Sequence, residues 1–544
     1  MSQNQNLPPG VDAATLARFF DAASKDLGPS NVSRDPSYGA LEGVHGSRAY
    51  GDPFPISSQC SPSGAVRPGS VGEVQSVLKL ANEFGVPLWT VSRGKNLGYG
   101  GSAPVVNGSV ILDLQRMNQV IEVSEEFAYA IVEPGISFFD LYKYLQNRGL
   151  KLWPSVPALG WGSVLGNTLD RGFGYTPDGE HSQAQCGLEV VLPSGRVLRT
   201  GMGAMEGNNL FALHKGGFGP SVDGLFFQSN LGVVTKMGIH LTPAPEAYSR
   251  CTVTVPNEAD VVALVDITTD LLRRRIIGNS PWVTHMIQNV YESTDQDVMN
   301  TVWPYLQKDQ FISDQMFQEL ATKKGFPYWR ALFSLYGTIE TVPALIKAVE
   351  RAFEKIPGCK VSCSYIAAER RLYLRPKDVG VGEVLPQSGV PSIEGLAVMD
   401  IREKGAGHAS VSPVTRPSGQ EIYQWFTVAK RLTNEARFNF ATDFHLWGRH
   451  ILAVGLIFYA DSEQQRASSL FKNLVEEAKR MGLLEYRAHV NHMDSVSAQL
   501  DFNDGALRQF TATLKKVLDP NEILSPGKSG IWKSESLFKR ASKF

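Results

Sequence analysis

The chain has 544 residues, more than one compact core accommodates, so two substantial domains or one domain with a large cap are expected. Apolar residues make up 43% and charged residues 20%, which excludes a disordered or fibrous chain. A net charge of -1 excludes a globally basic surface, and with it nucleic acid or an anionic membrane as the main partner.

The five cysteines, Cys60, Cys186, Cys251, Cys359 and Cys363, are few, odd in number and scattered. That suits a reducing compartment better than a disulfide framework. Cys359 and Cys363 are spaced C-x3-C with no second pair nearby to complete a zinc site, so no metal is expected. The opening MSQNQNLPPG lacks the apolar stretch of a secretory signal, and there is no run of about 18 apolar residues to cross a bilayer. A cytoplasmic protein is expected. The ending Ser542-Lys543-Phe544 resembles a peroxisomal S-K-L but departs from it at the last residue, which leaves a peroxisomal location as the alternative.

Along the chain, residues 73–83 (EVQSVLKLANE) carry apolar side chains at helical spacing, and the strand-like 86–91 (VPLWTV) follows. Residues 109–114, 128–132 and 188–192 also read as strands, and 138–147 as a helix. A second region, about 249–487, opens with a strand at 251–255. It then mixes amphipathic helices (260–275, 342–355, 462–481) with strands such as 450–459. Residues 376–395 are rich in Pro, Gly and Val and read as a loop. The last stretch, about 488–544, carries a helix at 505–517. The fold class expected from this alternation is α+β, in two domains.

Two glycine-dense loops bear on function. Residues 92–101 (SRGKNLGYGG) directly follow a strand. Glycine lets the backbone come close to a ligand, so such a loop can lay N–H groups around a phosphate, and Arg93 and Lys95 add charge of the right sign. The pattern is neither a Walker loop nor the dinucleotide G-x-G-x-x-G. Alone, it equally suits a tight connection between strands. The second loop, GWGSVLGN at 160–167, runs into DRGFGY at 170–175. Two such loops in one α/β region point to a large cofactor containing a pyrophosphate.

At these loops the sequence resembles the vanillyl-alcohol oxidase / p-cresol methylhydroxylase family of flavoproteins. The likeness continues through 188–203, 217–243 (with GVVTKMGIHLTP), 407–414, 485–493 and 519–532. It implies an FAD-binding domain built from residues 1–248 and completed by 488–544, with a cap domain, 249–487, between them. It implies FAD as the cofactor. Ser92, Arg93, Gly94, Lys95, Asn96, Gly98 and Gly101 would bind the pyrophosphate. Ser163, Gly166, Asn167, Gly172, Val234, Ile239 and Lys528 would line the cofactor. His408, in GAGHASVSP, resembles the histidine that bonds covalently to the flavin 8α-methyl; a buried, hydrogen-bonded histidine is its plain alternative.

Tyr99, Tyr486 and Arg487 resemble the trio that binds a substrate phenol as phenolate. Two hydroxyl donors and a guanidinium favour the charged oxygen, and the electron-rich ring then releases a hydride from the para side chain. The resemblance thus implies oxidation of para-substituted phenols such as 4-hydroxybenzylic alcohols and 4-alkyl- or 4-allylphenols. One position departs from the family. Many of its oxidases carry an active-site Asp in V-P-D-L-G, and here the segment is Val156-Pro157-Ala158-Leu159-Gly160. Asp443, in ATDFH at 441–445, is the candidate for the missing carboxylate; a solvent-facing strand-end Asp is the alternative. Asp170 reads as structural.

Three functions remain in view: an oxidase using O2, a dehydrogenase or hydroxylase handing electrons to a cytochrome or quinone, and a non-catalytic flavin-fold binding protein. The absence of a C-x-x-C-H heme segment favours the first. The short passage from Gly201-Met202-Gly203-Ala204 to Gly217 leaves out the loop through which some relatives form octamers, so a homodimer is expected.

Overall fold

The computed structural model describes residues 6–35, 50–57, 60–291, 296–368, 373–380, 386–403 and 407–534. The Ser542-Lys543-Phe544 ending, and Gly405 and Ala406 of the histidine segment, lie outside the described residues. No helix of the described residues is long and apolar enough to cross a membrane.

The N-terminal helix Ala13–Leu27 begins at Asp12, whose carboxylate accepts from the Thr15 N–H at 2.7 Å. It buries Leu16, Phe19, Phe20, Ala23 and Leu27, a helical stripe. The helix Val71–Phe84 is capped by Ser70 and ended by left-handed Gly85, and it buries Val74, Val77, Leu78 and Ala81. Both stripes meet Val66, Leu88, Val110 and Leu112 in one core. Those strand residues belong to a four-stranded sheet ordered Val32–Ser33, Ala65–Val66, Val110–Asp113, Leu88–Val91, in which the last three run parallel. The chain's C-terminal tail extends this sheet. Leu88 N–H donates to Ile523 O at 2.7 Å, and Ser525 N–H donates to Leu88 O at 2.8 Å.

A second, antiparallel sheet of five strands runs Val120–Ser124, Tyr129–Val132, Val233–His240, Gln185–Val191, Val197–Arg199 among the described residues. The helix Phe138–Asn147, started by a Ser137–Asp140 capping box, packs on it.

Residues 247–485 build a third sheet, of nine antiparallel strands among the described residues. Ala247–Val255 lies between Lys360–Ala367 and Trp329–Gly337, and Trp282–His285, Ala441–Leu446 and Ile451–Tyr459 follow. The helices Val261–Arg273, Thr341–Phe353, Gly419–Glu435 and Gln464–Arg480 bury their apolar faces against it. The mixture of parallel and antiparallel sheets with packed helices is α+β, as read from the sequence. The expected loop at 376–395 opens instead with a helical turn, Pro376–Val379, at whose start the Asp378 carboxylate accepts from both the backbone N–H and the guanidinium of Arg375. Cys363 does not face Cys359. It lies across the sheet from Cys251, the two sulfurs 2.8 Å apart.

The helix Phe502–Leu518 is where the tail is secured. Lys515 is fully buried, and its ammonium donates to Asp519 Oδ2 (2.7 Å), Asn230 O (2.9 Å) and Leu524 O (2.6 Å). Asp519 in turn accepts from the N–H groups of Ile523 and Leu524. Every charge and donor in this knot is paired, which is the condition for burying an ion pair at tolerable cost. Asp519→Ala leaves Lys515 uncompensated, and we expect urea unfolding to show a loss of about 3–5 kcal/mol. A loss below about 1 kcal/mol, the value of an exposed pair, would show that the knot does not secure the tail.

Candidate active site

A cavity of about 390 Å³ opens between the three sheets. Residues 92–101 form its first wall. They leave the strand Leu88–Val91 and turn tightly, with Gly94, Gly98, Gly100 and Gly101 all at positive φ. Gly98 is required by contact as well as by φ, because a Cβ there would lie 2.3 Å from His408 Nε2. Ser92, Arg93, Gly94, Lys95, Asn96, Tyr99 and Gly101 line the cavity, and Gly98 lies behind them. Arg93 does more than add charge. Its guanidinium donates to Trp161 O (2.9 Å) and Gly135 O (2.8 Å), tying the first glycine loop to the second. Lys95 Nζ sits 5.1 Å from the Trp161 ring centre.

The second loop forms the next wall through Ser163, Gly166, Asn167 and Gly172. Ser163 caps the short helix Val164–Leu169, accepting from Gly166 N–H at 2.9 Å while its hydroxyl donates to Pro134 O. Asn167 Oδ1 is 2.7 Å from His181 Nδ1. Val234 lines the cavity from the five-stranded sheet. Ile239 does not; it sits in that sheet's core, buried with Met237 and Leu188. Backbone N–H groups on two glycine loops, with cationic side chains beside them, fit a pyrophosphate.

At one end of the cavity lie Tyr99, Tyr486 and Arg487. The Arg487 guanidinium carbon is 4.2 Å from the Tyr99 ring centre and 5.9 Å from that of Tyr486. Arg487 also donates to Asn96 Oδ1, so a residue expected only to touch cofactor positions the guanidinium as well. Burial, joined by Tyr99, pushes the Tyr486 hydroxyl well above its ordinary range against the pull of Arg487. It therefore remains a proton donor. Burial opposes the charge of Asp170, but Lys528, 3.2 Å away, and Arg487 outweigh it and hold the carboxyl below its usual range. Two cations thus share one carboxylate, and the surplus positive charge suits an anionic guest. Gln228 was not legible as a site residue. Its backbone is left-handed (φ 46°), and its amide donates to Tyr486 O at 2.7 Å.

Asp443 and His445 line the cavity from the strand Ala441–Leu446. Asp443 is not the solvent-facing residue that its sequence also allowed. It lies mid-strand and buried, because alternation sends Phe444 into the core and Asp443 to the opposite face. Ala158 lines the same cavity. His408 does not line it. Its ring packs 5.4 Å from Phe54 and 6.2 Å from Phe458, with Nε2 against Gly98 and Nδ1 buried without a partner. Burial pulls its pKa down to about 4, with His489 adding to the effect and Asp52 opposing it, so the imidazole is neutral.

Glu485 precedes the Tyr486–Arg487 pair. Burial pushes its carboxyl up to about 8, offset only in part by the Ser412 N–H, which donates to it at 2.7 Å. The folded state therefore favours the protonated acid. That preference stabilises fully below the ordinary value of 4.5 and is lost as pH rises through about 8. Glu485→Gln keeps the group neutral, so unfolding free energies should shift in the variant's favour by about 1.4 kcal/mol per pH unit within that window. A difference that does not change with pH would mean that Glu485 is ionised in the fold.

A family model described as an FAD binding domain matches residues 62–201. The flavoprotein subunit of 4-cresol dehydrogenase [hydroxylating] from Pseudomonas putida is 34% identical over 475 residues, 87% of this chain and 88% of that protein. The 4-ethylphenol oxidase from Gulosibacter chungangensis, solved with isoeugenol, superposes with a TM-score of 0.87 at 32% identity, covering 98% of this chain and 100% of the other. A substrate-bound p-cresol methylhydroxylase gives 0.85 at 31%, covering 97% and 99%. With this extent of likeness added to the glycine loops and the cavity they line, the chain belongs to the vanillyl-alcohol oxidase / p-cresol methylhydroxylase family of FAD-dependent oxidoreductases.

Proposed function

We propose that this enzyme oxidises para-substituted phenols at the benzylic carbon, with O2 restoring the cofactor. The observation that carries the reading is the surplus of positive charge at half-buried Arg487, flanked by Tyr99 and Tyr486. When bound, FAD supplies the hydride acceptor. The protein's part is to bind the phenol as its anion. Arg487 offers charge, the protonated Tyr486 offers a hydrogen bond, and Tyr99 closes the third side. Phenolate makes the para side chain electron-rich, so a hydride leaves it readily. Asp443 is the carboxylate placed to take up a proton in the step that follows, where Ala158 offers none. His408, neutral and with an unpaired nitrogen, is the residue proposed to carry a covalent flavin bond. A homodimer in the cytoplasm completes the reading.

One observation favours a second reading. The relative at 34% identity is named as a dehydrogenase flavoprotein subunit, which is consistent with electrons passing to a cytochrome or quinone. Both readings share the phenol chemistry and differ in peroxide formation.

The test begins with the spectrum of the purified holoenzyme before and after acid precipitation. Yellow colour staying in the pellet supports the His408 bond, and its transfer to the supernatant refutes it. Anaerobic 4-ethylphenol or vanillyl alcohol should bleach the flavin, and air should restore it with release of peroxide. Bleaching without recovery in air would support the second reading. Tyr486→Phe should weaken binding of a phenolic ligand by about 10- to 100-fold, the value of a hydrogen bond to a charged group. No bleaching with any 4-alkylphenol would overturn the phenol reading.

A further inference from the structure

Among the described residues, the nine-stranded sheet ends at the strand Lys360–Ala367. Its neighbour is Ala247–Val255, paired antiparallel in unbroken register from Ala247 opposite Ala367 to Thr254 opposite Lys360. Cys251 and Cys363 stand directly opposite each other in that ladder, and neither lines the cavity. Opposed residues of an antiparallel pair point to the same face with Cα atoms about 4.5–5.5 Å apart, inside the range of about 4.4–6.8 Å that a disulfide spans. The two thiols already share a hydrogen bond, with the sulfurs 2.8 Å apart. Closing them to a covalent bond asks for a movement of about 0.8 Å, which side-chain rotation supplies.

The two cysteines differ in access. Alternation along Ala247–Val255 turns Ser249, Cys251, Val253 and Val255 inward, and Cys251 is fully buried in the core that includes Val349 and Phe353 of the helix Thr341–Phe353. Cys363 lies on the edge strand and is only half-buried. They differ in acidity as well. The Cys363 thiol is held below its ordinary range, chiefly because Cys251 S–H can donate to the thiolate, while burial and Glu350 oppose the charge. The same bond, together with burial, pushes the Cys251 thiol up. Burial also pushes up the thiols of Cys60, Cys186 and Cys359. The reactive form of cysteine is the thiolate, and an oxidant must reach it. Of the five cysteines, Cys363 alone combines access, a favoured thiolate and a second thiol in contact.

We propose that Cys363 and Cys251 are a peroxide-reactive pair, in which Cys363 takes the oxidant, Cys251 resolves it, and the resulting disulfide ties the sheet's edge strand to its neighbour. The Cys363 thiolate attacks one oxygen of hydrogen peroxide. The O–O bond breaks and hydroxide leaves, so the sulfur is oxidised to a sulfenic acid and the peroxide is reduced. The Cys251 sulfur then bonds to the sulfenic sulfur, and its proton departs with the displaced hydroxyl as water. A dithiol reverses the change by exchange, which suits a reducing compartment. The cross-link joins residues 112 apart in sequence, so it restricts the unfolded chain strongly, and it anchors a strand that has a partner on one side only among the described residues. The site stands apart from the phenol chemistry, although an oxidase would make this oxidant itself.

The experiment uses the full-length holoenzyme, reduced with dithiothreitol, desalted and treated with added hydrogen peroxide in the absence of any phenol. Free thiols, counted after unfolding, should fall by two from five, and proteolytic mapping should find the Cys251 and Cys363 peptides joined. Dithiothreitol should restore all five. The oxidised protein should melt about 5–10 °C higher than the reduced one. Cys363→Ser, at the half-buried position, should keep the native circular dichroism and leave Cys251 reduced under peroxide. Cys251→Ala should trap the sulfenic acid on Cys363, where dimedone labels it. Five free thiols after peroxide, a bridge between any other pair, or a Cys363 sulfenic acid that persists in the native protein would overturn the proposal. A joined pair that melts no higher than the reduced protein would overturn the role given to the bridge in the sheet.

Discussion

The half-buried guanidinium of Arg487 must be compensated, and much of the site follows from how this is done. Asp170 balances it only in part, since Lys528 draws on the same carboxylate. The remaining positive charge is a standing demand for an anion at the end of the cavity where Tyr99 and Tyr486 stand. Asn96 fixes the guanidinium from the first glycine loop, and Gln228 fixes the Tyr486 backbone from a strained turn. The Arg487 end of the cavity and the glycine loops are thus one hydrogen-bonded unit. A cation held this firmly loses little entropy when its partner arrives, which is how preorganised sites gain affinity.

Of the two cavity-wall positions Ala158 and Asp443, only the second carries a carboxyl group. The strand Ala441–Leu446 holds Asp443 buried between Thr284 and Val454, where a proton acceptor interacts strongly with whatever it touches.

Much of this was legible in the sequence, for identifiable reasons. The helices 71–84, 138–147 and 464–480 announced themselves because each buries one face, so the apolar spacing survives in the primary structure. The glycine loops were legible because positive φ and close approach both demand glycine. Other features carried no local signal. His445 is an ordinary strand residue until Phe173 and Tyr175 from one loop and Trp282 from a neighbouring strand converge on it. Gln228 has no motif, and only its backbone angle marks it. The second duty of Arg93, as a brace between loops, depends on carbonyls 42 and 68 residues away. Ile239 shows the opposite failure, since a motif match placed at the cofactor a side chain that the register turns into the core.

The tail's place in the first sheet has a consequence for biosynthesis. Thr90 N–H waits for a hydroxyl 435 residues later, at Ser525, and Leu88 waits for Leu524. A ribosome adding about 5–20 residues per second therefore delivers the strand Leu88–Val91 tens of seconds ahead of its neighbour, with that edge unpaired throughout.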